Sequence, residues 1–340
     1  MSLSCISSIS STAFKKASKN PLQLTIQKVD ISGTAESWNS SAMSADGTKM
    51  YAGSGKWFYK FENNQWTKVD IQSPSTGTYQ NLQVERLWRF MDCNADATKI
   101  IACLGGTFMY MSQDGGLNWT ILQPEVTNQR RDWITISCDS TCTKIIAGAT
   151  FQNCFITTNG GSSWTKLTQN ASTILSMSKN GNNIVSMGSG NGYTSNDNCA
   201  TWSTITTVTG TGQTTMIDNN NNSYYGYRNV INFLKNINGS TTATNTITAT
   251  LSTTSWSACR CNSDGTKAIV VTESNQGGVY ISTDSGSTWT NYQSQINAVC
   301  GYTAIGWKTC SISEDGKKFI IGSAATTGNS VGLIIVGTFD

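Results

Sequence analysis

The chain has 340 residues, with 23 Lys and Arg against 20 Asp and Glu, a net charge of +3, and no histidine. So sparse a charge lacks the basic footprint of a nucleic-acid binder, and the missing histidine excludes His-based acid–base chemistry, Ser-His-Asp triads and His-ligated metals. No apolar run approaches the length of a membrane-spanning helix, so no membrane insertion is expected.

In chain order, residues 1–21 are rich in Ser, carry Lys15, Lys16 and Lys19, and contain no acid. They lack the apolar core of a secretory signal and read as a polar N-terminal arm; on composition alone an organelle-targeting segment is the alternative. Residues 22–31 then read as a strand with no neighbour of its own. From Trp38 onward one unit recurs: a Trp, a short alternating strand, a polar turn of the Asp-Gly kind, often a Lys, and an apolar strand. Copies start at Trp38, Trp88, Trp133, Trp256 and Trp307, and two more that lack the Trp start near Ser172 and Gln213.

A second pattern runs in register with the first. A Ser or Thr is followed two places on by Asp or Asn, usually by a Gly two further, and by a Trp after three more: Ser112 to Trp119, Thr157 to Trp164, Ser195 to Trp202 and Ser282 to Trp289. Each copy sits between strand-like runs, so it must reverse the chain. Asp114 and Asp284 suit turn amides, Gly116, Gly161 and Gly286 suit a positive φ, and the Trp covers the hairpin.

These residues resemble the Asp-box, or bacterial neuraminidase repeat, which closes the outer hairpin of a β-propeller blade. With a period of about forty residues, the resemblance implies an all-β fold: one seven-bladed β-propeller of four-stranded antiparallel blades over residues 22–340. The expected units are 36–71, 85–123, 130–168, 171–206, 213–250, 255–292 and 306–340. The last unit stops one strand short, so 22–31 is expected to pair beside 331–338, closing the ring and removing its free edges. A monomeric ring is expected.

Eleven cysteines include Cys93, Cys138 and Cys261 at equivalent positions of the unit, where Met43 and Ile312 stand in others. That is the pattern of small buried residues. A zinc site from Cys138 with Cys142, or Cys259 with Cys261, lacks further ligands, so no metal and no cofactor is expected. Free thiols favour a reducing intracellular compartment.

The Asp-box family includes sialidases, which use an arginine triad, a Tyr-Glu pair, an Asp and an Arg-Ile-Pro segment. Arg-Ile-Pro is missing here, and two close pairs, Arg86 with Arg89 and Arg130 with Arg131, dominate the six arginines. Other glycosidases need two carboxylates roughly 5–9.5 Å apart, and no spacing rule pairs Glu36, Glu85, Asp92, Glu125, Asp132 and Glu273. No catalytic residues are assigned.

Propeller loops entering each first strand lie at the channel mouth. Trp38, Trp88, Trp133, Trp256 and Trp307 are therefore candidates to stack on a sugar or anchor a protein, or alternatively to wedge between blades. Arg86, Arg89, Arg130, Arg131 and Asp132 stand beside two of them and do not recur, so they form a candidate basic patch for carboxylates or phosphates. Photosystem II assembly factors resemble this chain in blade plan and in carrying a local arginine patch. The expected function is a non-catalytic scaffold for a protein partner; the alternative is a glycan-binding lectin-like propeller or divergent glycosidase using the tryptophan-lined mouth.

Overall fold

The computed structural model describes residues 24–29, 37–55, 57–69, 88–106, 108–124, 131–150, 153–167, 174–188, 190–206, 212–227, 232–240, 243–248, 255–273, 278–301, 306–324 and 332–339. They form seven four-stranded antiparallel sheets. The first strands of the seven blades are Trp38–Met43, Trp88–Cys93, Trp133–Cys138, Ile174–Met177, Gly212–Ile217, Trp256–Cys261 and Trp307–Ile312. Successive first strands touch one another all the way round, and the last touches the first, so they surround a common axis.

The ring is closed by the N-terminal strand. Leu24–Val29 pairs antiparallel with Ile334–Phe339, from Leu24 opposite Phe339 to Val29 opposite Ile334, and supplies the outer strand of blade 7. Residues 1–21 lie outside the described residues.

The core is divided among the interfaces between blades. Tyr51 and Phe58 of blade 1 pack on Trp88 of blade 2, and Ile320 and Ile334 of blade 7 pack on Trp38 of blade 1. The entry tryptophans explain this arrangement. Trp38, Trp88, Trp133, Trp256 and Trp307 are each at most 2% exposed, and each is followed by a β-bulge against the second strand. A bulge bends the strand and re-aims the side chain. Three of the rings approach a glycine on the previous blade: a Cβ on Gly53, Gly226 or Gly322 would stand 2.5, 2.6 or 2.8 Å from the Cβ of Trp88, Trp256 or Trp38.

The turn after the third strand has the geometry expected of its sequence. The Gly116 amide donates to Ser112 Oγ (2.8 Å), the Leu117 and Asn118 amides donate to Asp114 Oδ1, and Trp119 Nε1 donates to the Gly116 carbonyl. Gly116, Gly161 and Gly286 have φ of 96°, 89° and 73°; in blade 4 Cys199 takes that place at 67°. These turns also dock on the preceding blade, Gly116 against Phe58, Gly161 against Leu122 and Gly286 against Tyr224.

The turn after the first strand binds neighbouring blades to one another. Backbone amides donate from Ala45 to Ala95, Ala95 to Ser140, Ser140 to Lys179, Asn219 to Ser263, Ser263 to Glu314, and Asp315 back to Ala45. Between blades 4 and 5 the Asn180 amide donates to the Asn219 side chain, and Asn183 Nδ2 to the Asp218 and Asn219 carbonyls. The recurring Lys has a related task. Lys49, Lys99, Lys144, Lys267 and Lys318 each reach a carbonyl in the next blade's turn: Asp96, Thr141, Gly181, Gly316 and Gly47.

One helix, Gln293–Cys300, has no counterpart in the repeat pattern. It links blades 6 and 7 after a two-residue outer strand, Thr290–Asn291, and ends where Gly301 adopts φ 77°. Its first residue explains its place: Gln293 Oε1 accepts the Trp307 indole N–H at 2.8 Å.

Candidate functional site

The strand-entry face holds the sequence candidates. The five tryptophans are sealed between blades, which is the wedge alternative rather than an open stacking surface: a sugar-binding indole must present a ring face to solvent. Arg86 and Arg130 lie outside the described residues. Arg89 and Asp132, in contrast, are brought together from blades 2 and 3, with Arg89 Nη1 donating to Asp132 Oδ1 at 2.8 Å and both side chains about two-fifths exposed. Arg89 lies over Gly105, where a Cβ would come within 3.1 Å of its Nε. Arg131, next along the chain, sets its guanidinium 5.8 Å from the Phe155 ring centre. Among the described residues the expected patch is therefore one ion pair with a further cation, Arg131, beside it.

A second ion pair occupies the same face. Lys308, one residue past the Trp of blade 7, meets Glu273, which follows the second strand of blade 6. Glu273 and Asp132, two of the carboxylates considered for catalysis, are thus each held by a cation. Both pairs are half-exposed and contribute little to stability.

A third carboxylate, Asp92, lies inside the axial channel. Lys179 of blade 4 reaches across to it, with Nζ 2.8 Å from Asp92 Oδ1 and 3.2 Å from the Cys93 carbonyl. Asp92 Oδ2 accepts the Cys138 amide at 3.0 Å and the Ser137 hydroxyl at 3.3 Å. Burial pushes the Asp92 carboxyl up, but the Lys179 ammonium and these donors outweigh it and leave it below the usual carboxylate range. Glu314 extends from blade 7 to accept the Ser140 hydroxyl of blade 3 at 3.4 Å, and burial raises its pKa. Arg260 of blade 6 completes the charged lining.

Sequence reasoning places Asp92 among unpaired candidates and does not single out Lys179, Arg260 or Glu314 for the channel. An alignment of the units carries the signal. Asp92 and Arg260 share a column with Ala42, Ser137, Ser176, Met216 and Ser311, while Lys179 and Glu314 share one with Ala45, Ala95, Ser140, Asn219 and Ser263. Charge in columns otherwise uncharged marks departures from the structural repeat.

The cysteines follow the packing expectation in part. Cys93 and Cys138 are buried and Cys261 is half-buried. Burial pushes Cys103, Cys154 and Cys259 up to about 12, which keeps them as thiols at neutral pH. Cys138 and Cys142 place their sulfurs 2.7 Å apart, and no group of three or more Cys, Asp or Glu able to hold a metal occurs among the described residues. No helix among them is long and apolar enough to cross a membrane.

No protein-family model matches the chain, and no curated protein matches it in sequence. Solved structures do match in fold. A structure described as YCF48 bound to D1 peptide shares 11% identity at a TM-score of 0.65, over 95% of this chain and 98% of that one. YCF48 from Cyanidioschyzon merolae also shares 11%, at 0.62 over 92% and 98%. The RRP9 WD40 repeats share 7% at 0.68, over 93% and 97%. At such identities the likeness is one of architecture, and it shows a seven-bladed β-propeller.

Proposed function

We propose that the chain is a non-catalytic interaction scaffold, an Asp-box-type propeller outside the sialidase branch, that binds an acidic protein segment at its strand-entry face. The observation carrying this reading is the Arg89–Asp132 pair between blades 2 and 3 with Arg131 beside it. Two arginines meet there from adjacent blades, whereas Lys308 elsewhere on the face is paired singly with Glu273, and a guanidinium held by one carboxylate still has donors for a second. A propeller of this architecture, YCF48, is known in complex with a D1 peptide, which supports a binding role. The glycan alternative draws no support from the entry tryptophans, whose rings are enclosed.

The test replaces Arg86, Arg89, Arg130 and Arg131 with Glu and recovers partners from the native source. The expected result is an unchanged melting temperature, because exposed charges contribute little, together with loss of an acidic partner. Raised salt should reproduce that loss, since exposed charges are screened beyond about 8 Å at physiological ionic strength. Undiminished recovery after all four reversals overturns the proposal.

A further inference from the structure

The axial channel is a separate feature from the entry face, and its four charged side chains are unevenly paired. It keeps a cavity of about 50 Å³ lined by Asp92, Ser137, Ser176, Lys179, Arg260 and Glu314, among others. That is several times the roughly 10–15 Å³ one water requires. Asp92 is fully engaged: one oxygen takes the Lys179 ammonium and the Cys93 amide, the other the Cys138 amide and the Ser137 hydroxyl. Glu314 is turned toward Ser140, on the far side of the ring.

Arg260 is left with little. Its Nη1 donates to the neighbouring Cys259 carbonyl at 2.9 Å, and no described carboxylate lies within 4.0 Å of it. A guanidinium has five N–H donors, and the carboxylate whose charge reaches Arg260, Asp92, is already bound by the Lys179 ammonium. Burial raises the Glu314 carboxyl above its usual range, with Lys179 opposing the shift and Asp92 adding to it.

We propose that this cavity is a binding site for a small monovalent anion, a halide or a formate-sized carboxylate, held by the Arg260 guanidinium. Three features select the class. The free volume admits an ion of that size with a water or two. The cation offers a planar fork suited to oxyanions and accessible to halides. The Ser176 hydroxyl, on the same layer of the channel wall, supplies a neutral donor.

The test is thermal unfolding of the full-length protein at fixed pH and ionic strength in potassium chloride, potassium formate and potassium gluconate, whose bulkier anion serves as the reference. A ligand that binds only the folded state raises stability by mass action, so chloride or formate should give a saturable upward shift of about 2–4 °C over gluconate. Arg260→Met should abolish that shift, and Arg260→Lys should retain part of it. Should Arg260→Met fail to fold, Ser176→Leu keeps the charge but fills the cavity, and it too should lose the anion response. The ³⁵Cl NMR line should broaden with the wild type and narrow on adding formate. Identical melting in chloride, formate and gluconate, or a full chloride response in Ser176→Leu, overturns the site.

Discussion

The Ser41 hydroxyl lies 2.8 Å from the Thr309 hydroxyl, buried, although 268 positions separate the two residues. Ser311 adds a bond of 3.0 Å to the Ser41 carbonyl. Blade 1 and blade 7 thus meet through side chains of their first strands, while Leu24–Val29 completes blade 7 at its outer edge. A propeller has no cohesion across its axis comparable to that between neighbours, so the seam between first and last blades determines whether it remains a ring.

Removing residues 1–31 should therefore open the outer edge of blade 7. Ile334–Phe339 would become an unpaired edge strand, a template for association. We expect a lower melting temperature and concentration-dependent aggregation, read by light scattering during a thermal ramp. A monomeric truncation with an unchanged melting temperature would refute the closure.

The Asp turns predict the acid limb of stability. The Thr48 amide and Ser44 hydroxyl bonds lower Asp46 to about 2, and the Thr201 hydroxyl and amide lower Asp197 to about 2. Both start from 3.8 when unperturbed. Between these values the unfolded chain binds more protons than the folded one, so stability is present above pH 3.8 and lost as pH falls toward 2. Asn replacement should keep the turns, because Asn159 fills the Asp197 place in blade 3 and accepts the Ser163 amide at 2.9 Å. The double variant Asp46→Asn with Asp197→Asn should show a shallower fall of urea midpoint from pH 4 to 2 than the wild type.

Much of this is legible because a repeated structural task leaves a repeated residue. The four Ser/Thr-Asp/Asn turns and the five tryptophans locate six blades between them, and the seventh emerges from Met216-Ile217-Asp218, which keeps the apolar end of the strand and its Asp without the Trp. What the sequence leaves open is orientation. Trp88 reads equally as a mouth residue or a wedge, and only the bulge after it with the space over Gly53 decides the matter. Nor can spacing bring Lys179 to Asp92, 87 positions away, because that meeting depends on blades 2 and 4 lying across a shared axis.

The glycines under the tryptophans give a stability prediction. Gly322 has an ordinary backbone conformation, yet its added Cβ would lie 2.8 Å from Trp38 Cβ and 2.9 Å from Thr309 Cγ2. Neither is a flexible chain end, so blades 1 and 7 must separate slightly. We expect Gly322→Ala to cost about 1–3 kcal/mol, against the gain that replacing a strand glycine with alanine would otherwise bring. A urea midpoint equal to or above that of the wild type would show that the seam yields.

Two adjacent lysines give the sharpest test of the turn ring. Lys318 donates to the Gly47 carbonyl of blade 1 at 3.2 Å, and its stem lies on Gly47, whose added Cβ would stand 2.9 Å away. Lys317 is 74% exposed and pairs loosely with Asp315 in its own turn, at 3.4 Å. Lys318→Met keeps the stem but removes the donor from a carbonyl at the ring seam, so it should cost about 1 kcal/mol. Lys317→Met should change stability by less than about 0.5 kcal/mol. The urea midpoint should fall only for Lys318→Met, with an unchanged slope, since the folded surface is the same. Equal effects of the two substitutions would mean that the strap contributes nothing beyond surface charge.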